Sequence, residues 1–205
     1  MEQKLEQKLD FKKSFLLTMI TSLTISAFVG IIIFLFGSFG DTEFRILLTT
    51  LSLAGFSLAG LCCSLLYEKR KYIKFSMFAI GSIILGFLYS ILLIWEFVYF
   101  FRWGLELTIW AELFLILLVL SFSFAHMSLI LLINVKKKLD KYLLYLTLLF
   151  IAIVASMLIY LIFRIGINEP GELFFRLLGV FAILNVLGTI VTPMLNKIYT
   201  YENKN

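Results

Sequence analysis

Six apolar runs, each about as long as the roughly 20 residues a bilayer-spanning helix needs, take up most of this chain. They cover residues 15–36, 46–67, 75–94, 107–135, 142–163 and 177–195. Lipid offers no water to satisfy exposed backbone groups, so only helices or closed barrels can cross it. Barrel strands would alternate polar and apolar residues over short segments. These runs do not alternate. They predict an all-α membrane protein, a six-helix bundle made of three helical hairpins. Composition agrees: 61% of the 205 residues are apolar, 15% are charged, and the mean hydropathy is +1.02. A soluble enzyme, a disordered tail and a disulfide-framed secreted module are excluded. The adjacent pair Cys62-Cys63 makes no disulfide framework.

The positive charges set the expected orientation. Lys4, Lys8, Lys12 and Lys13 precede the first run. Lys69, Arg70, Lys71 and Lys74 lie between the second and third, and Lys136, Lys137, Lys138 and Lys141 between the fourth and fifth. Lys197 and Lys204 follow the sixth. Only Arg45, Arg102, Arg164 and Arg176 fall on the other side. The larger set is expected to face the cytoplasm, with residues 1–14 and 196–205 as cytoplasmic ends flanking one membrane domain, 15–195. The first run has no small-residue cleavage pattern and reads as a retained anchor. The net charge of +5 is thus a topology signal suited to anionic headgroups, and nucleic acid is not an expected partner. The compact loops favour a bacterial plasma membrane. Trp95, Trp103 and Trp110 cluster at the expected outer interface.

Helices in lipid associate through small residues that let backbones approach. Thr18, Ser22, Ser26 and Gly30 are each four apart, as are Gly55, Ala59 and Cys63, and Ser82, Gly86 and Ser90. These seams suit packing within the bundle, or between chains in a homo-oligomer or with a membrane-protein partner. The even-numbered runs are alike in local sequence. Phe56-Ser57-Leu58-Ala59-Gly60 compares with Phe122-Ser123-Phe124-Ala125-His126, and Phe44-Arg45-Ile46-Leu47 with Phe175-Arg176-Leu177-Leu178. A parallel repeat of hairpins and chance similarity of apolar helices both fit.

Chemistry concentrates in few places. His126 is the sole histidine and falls near the expected midplane, where an ionisable group is a functional candidate. Glu112, Ile116, Val119, Ser123 and His126 share one helical face, expected to point inward. Glu112 and His126 are about 21 Å apart along the axis, so they could bound a path but cannot touch. The competing roles are a hydrated Glu112 and a neutral, hydrogen-bonded structural His126. Asp41, Glu43, Arg45, Glu96, Arg102 and Arg176 make up most of an outer polar cluster, suited to ion pairing or to receiving an anion. Pro193 withholds a hydrogen bond from the Thr189 carbonyl, so a kink flanked by Gly188, Thr189 and Thr192 is expected.

Ser57 and His126 fall at similar depth, which allows a serine–histidine dyad. Six spans together with Gly55-Phe56-Ser57 resemble the rhomboid intramembrane proteases, which would imply serine hydrolase activity. The resemblance covers only those residues. The histidine is not in the sixth span, and the oxyanion-supporting His/Asn pattern of the second rhomboid span is absent. No cofactor or metal site is expected. The leading expectation is a small transporter, channel or transport-complex subunit. The alternatives are a non-catalytic scaffold or accessory subunit, and the Ser57/His126 hydrolase.

Overall fold

The computed structural model describes residues 16–17, 20–21, 23–25, 27–28, 30–32, 35, 40–70, 72–95, 107–133, 138–164 and 170–202, the side chains of 107, 108, 139 and 196–202 excepted. Among the described residues the chain is helical, with no strand. A short apolar helix, α1 (Leu23–Ile32), is followed by α2 (Asp41–Glu68), α3 (Ile73–Ile94), α4 (Leu107–Leu131), α5 (Lys138–Arg164) and α6 (Glu172–Glu202). Five of them, α2 to α6, are long and apolar enough to cross a membrane. These are the dimensions of a membrane helical bundle. The first predicted span, 15–36, is described only in part.

The helices form where the apolar runs predict, and most extend beyond them. α2 starts at Asp41 rather than 46, with Asp41 and Glu43 in its first turn, where carboxylates complement the positive end of the helix dipole. α5 starts at Lys138 with Asp140 in the same role, and α6 starts at Glu172 and runs on to Glu202. Pro193 lies inside α6, whose helical course continues through it. Several hydroxyls in the spans return to their own helix. Thr49, Thr50 and Ser156 each donate to the carbonyl four residues back, which keeps a polar group satisfied without water.

Contacts divide the chain into two compact units, Met1–Ser121 and Phe122–Asn205, so that α4 contributes its first part to one and the rest to the other. In the first unit α2 packs along α3. The turn between them is short, and Arg70 takes a left-handed conformation (φ 53°) to make it. On α3 the buried positions are Ser76, Ala79, Ile83, Gly86 and Ser90, spaced three and four apart as one helical face requires. Ser76 Oγ donates to the Cys63 carbonyl at 2.6 Å, bonding one helix to the other. Near the opposite end Trp95 Nε1 donates to Thr49 Oγ1 at 3.1 Å. Tyr89 stacks on Trp110 with centroids 6.0 Å apart and donates its hydroxyl to the Trp110 carbonyl. Two of the three tryptophans thus tie α2, α3 and α4 together at one end, and Trp103 lies outside the described residues.

The small-residue seams divide sharply. Ala59, Cys63, Gly86 and Ser90 are buried, and Ser82 is half-buried. A Cβ added at Gly86 would lie 2.8 Å from Cε1 of Phe56 and 3.1 Å from Ser121 Oγ. Gly30 and Gly55 meet open space. Ser22 and Ser26 lie outside the described residues. In the second unit α5 packs along α6. The packed face of α5 carries Asp140, Leu144, Thr147, Ile151, Ala155 and Ile162.

Within α3, Gly81 has nothing within 4 Å, whereas Gly86 is enclosed by an aromatic ring and a hydroxyl. Gly86→Ala is expected to destabilise the protein by about 1–3 kcal/mol, the range for overpacking a filled site. Gly81→Ala is expected to be neutral or to stabilise by up to about 1 kcal/mol through helix propensity. Thermal unfolding of both variants in the same detergent checks the contrast.

Candidate functional site

The polar groups of the second unit gather where α4, α5 and α6 meet, and the reason lies in α6. Asn185, Gly188, Thr189 and Thr192 recur at three- and four-residue spacing and so share a face of that helix. Pro193 cannot donate to the Thr189 carbonyl, which weakens the backbone ladder at the same level. Two side-chain contacts meet this face from the other helices. His126 Nε2 of α4 lies 2.9 Å from Thr189 Oγ1. Thr147 Oγ1 of α5 lies 3.3 Å from Thr192 Oγ1. Gly188 makes the second approach possible, since a Cβ there would stand 2.5 Å from Thr147 Oγ1.

Counting hydrogens assigns the roles. Thr189 Oγ1 is 2.8 Å from the Asn185 carbonyl, a pure acceptor, so its one hydrogen goes there. The hydroxyl oxygen then accepts from His126, which places a proton on Nε2 and leaves Nδ1 of a neutral ring as a lone-pair acceptor. Thr147 and Thr192 are arranged differently. Thr147 Oγ1 lies 2.9 Å from the Leu143 carbonyl, and Thr192 Oγ1 lies 2.7 Å from the Gly188 carbonyl. Two hydroxyl hydrogens serve three contacts, so the Thr147–Thr192 bridge forms only when one hydroxyl releases its backbone carbonyl. Asn185 Oδ1 is buried without a hydrogen-bond partner. The cluster therefore holds a ring nitrogen, an amide oxygen and a hydroxyl pair with acceptor capacity to spare, a setting for water, a proton or a small polar solute.

The sequence-predicted residues fall as follows. His126 is half-buried and engaged by Thr189. Ser123 and Glu112, also half-buried, share its helix. The buried positions of α4 are Ser121, Ala125 and Ser128, which form a stripe on the opposite side, together with Leu131 and with Ile130, one turn from His126 on its own face. Asp41 and Glu43 occupy the first turn of α2, with Arg45 one turn on. Arg176 pairs with Glu172 at 2.7 Å within α6, both side chains exposed, an ion pair worth about 0–1 kcal/mol. Glu96 and Arg102 lie outside the described residues. Thr147, Asp140 and the stripe on α4 went unpredicted. A lone threonine or aspartate in a run carries no periodic signal, and only its position on a packed face marks it.

An open groove of about 570 Å³ runs along α5, lined by Leu149, Ile153, Met157, Tyr160 and Phe174 among others. Its walls are almost wholly apolar and offer shape without chemistry. Comparison with protein-family models, curated proteins and solved structures returns no match.

Removing either partner of the His126–Thr189 bond tests the geometry. A double-mutant cycle of His126→Ala and Thr189→Val is expected to give a coupling of about 0.6 kcal/mol, within a ceiling of about 1.7 kcal/mol for hydrogen bonds between membrane helices. Reversible unfolding in detergent measures it, and a coupling of zero contradicts the bond.

Proposed function

We propose that the chain is a small six-span transporter, channel or transport-complex subunit, and that the cluster around His126 lies on its path. In this reading both termini are cytoplasmic, the membrane is a bacterial plasma membrane, and the spans form one membrane domain. The observation that carries the reading is the contact of His126 Nε2 with Thr189 one turn before Pro193. An ionisable ring at membrane depth is costly unless it is used. Here it meets the helix where the backbone ladder is already interrupted, beside a buried amide oxygen with no partner. A proline inside a membrane helix is tolerated where neighbouring helices or hydroxyls satisfy the backbone carbonyl it frees. Glu112 and Ser123, on the same face of α4 as His126, are the expected outer members of the path.

A second reading, an accessory subunit or homo-oligomer with no flux of its own, draws on a different observation. Gly30 and Gly55 present small-residue surface to open space. Such faces suit close approach by another helix. A stoichiometric foreign protein in the native mass spectrum of the purified chain favours it. The hydrolase reading needs Ser57 and His126 to act together. Ser57 is buried on α2, and the bond that His126 makes is to Thr189. Nothing beyond their sequence depth supports it.

Purified protein in liposomes loaded with a pH-sensitive dye is expected to carry proton-coupled flux across an imposed gradient. His126→Ala is expected to lower that flux by about a hundredfold, the lower end of what a positioned proton-transferring side chain contributes. Flux unchanged by the substitution overturns the role assigned to His126.

A further inference from the structure

The groove of about 570 Å³ along α5 opens on the side of that helix opposite its buried stripe. Leu149, Ile153, Met157 and Tyr160 follow one another along it at three- and four-residue spacing. Phe174 of α6 closes on Tyr160, with ring centroids 5.4 Å apart. The two hydroxyls among the lining residues are both engaged. Ser156 donates to the Ala152 carbonyl of its own helix, and Tyr160 accepts from Arg164 Nε at 3.1 Å. The Arg164 guanidinium also stands 5.5 Å from the centre of the Tyr160 ring. A positive charge is thus fixed beside one end of the groove, and the walls from Leu149 to Met157 are apolar. Leu149 and Tyr160 are eleven residues apart, about 16 Å along the helix. That is half of a hydrocarbon core about 30 Å thick, the depth of one leaflet.

We propose that this groove binds one phospholipid from the leaflet at the Arg164 end, with an acyl chain along Leu149 to Met157 and the phosphate at the Arg164 guanidinium. The order of the groups matches the order within such a lipid, charge first and hydrocarbon after. Arginine is suited to phosphate, which its planar fork meets with two parallel hydrogen bonds. Arg164 ends α5, and tyrosine rings beside a helix end sit at headgroup level. Glu172, the described carboxylate at the start of α6, is held by Arg176 at 2.7 Å. The volume lies within the range of about 300–1,000 Å³ for small-molecule sites. A water-soluble solute would find no polar group along the walls to orient it. A partner helix would need more than the half-span that the groove offers. The site faces away from Thr147 and stands whether or not the His126 cluster conducts.

The test is photolabelling of the full chain in detergent with one equivalent of phosphatidylglycerol that carries a diazirine midway along an acyl chain. Irradiation expels dinitrogen, the carbene inserts into a neighbouring bond, and peptide mass spectrometry maps the product. The label is expected to concentrate between Leu149 and Met157. A label spread as densely over the exposed apolar residues of α2 and α3, such as Leu58 and Leu85, overturns the proposal. Ala152→Phe, which fills the groove from an exposed position, is expected to abolish the α5 label. Arg164→Gln is expected to lower it about tenfold, the loss of one hydrogen bond to a charged group. An α5 label that either substitution leaves unchanged overturns the proposal. Competition in the wild-type chain decides the matter even if neither variant folds. Unlabelled phosphatidylglycerol is expected to displace the probe about tenfold more effectively than a diacylglycerol of the same chains, which lacks the phosphate. Equal displacement by the two overturns the proposal.

Discussion

Hydrogen-bond satisfaction without water is the constraint on which the rest of this structure depends. In lipid, a polar group that finds no partner within the protein stays unsatisfied at a cost of several kcal/mol. Most of the chain meets the constraint by avoidance, with apolar side chains on continuous helices and threonine and serine hydroxyls turned back onto their own carbonyls. The region around Thr189 meets it differently. There a proline interrupts the ladder, a histidine and two threonines bring in further polar atoms, and Asn185 Oδ1 is left without a partner. Retaining so many polar groups in one place contributes little to stability, and the proposed path rests on this arrangement.

The two compact units hold their helices together by different means. The first relies on close approach: Gly86 against the Phe56 ring, Ser76 to the Cys63 carbonyl, and aromatic contacts at the Trp95 end. Packing of this kind rigidifies and carries no charge. The second adds threonine and histidine contacts, with hydroxyl hydrogens too few for all their acceptors. Such a network can exchange partners at low cost, because each hydroxyl has a backbone carbonyl to return to. The unit with reactive groups is therefore also the one whose hydrogen bonds have alternatives.

Much of the fold was legible from hydrophobic length alone. The second to sixth runs became helices, because a continuous apolar segment in lipid has no competing structure. Their ends were less legible. α2, α5 and α6 extend into polar residues, since acidic side chains at helix starts and lysines and tyrosines near helix ends favour continued helix at the interface. His126 and the Pro193 neighbourhood were legible as rare residue types. Thr147, Asp140 and the Ser121–Ala125–Ser128 stripe were not, because serine, threonine and a lone aspartate are common in or beside apolar helices. The seam residues show the limit of spacing as a signal: Gly86 and Gly55 sit in similar patterns, yet one is enclosed and the other meets open space. Spacing says which residues share a face, and only the neighbouring helix decides whether the face is used.

The central claim is that His126 is held by Thr189 through Nε2 and keeps Nδ1 as its open acceptor. The chain has one histidine, so protein labelled with ¹⁵N-histidine in bilayers gives a single pair of ring signals. Solid-state NMR near neutral pH is expected to show a protonated Nε2, a bare Nδ1 and a through-space contact from the ring to the Thr189 side chain. A bare Nε2 with the proton on Nδ1, and no contact to Thr189, would contradict the hydrogen bond on which the proposed path is built.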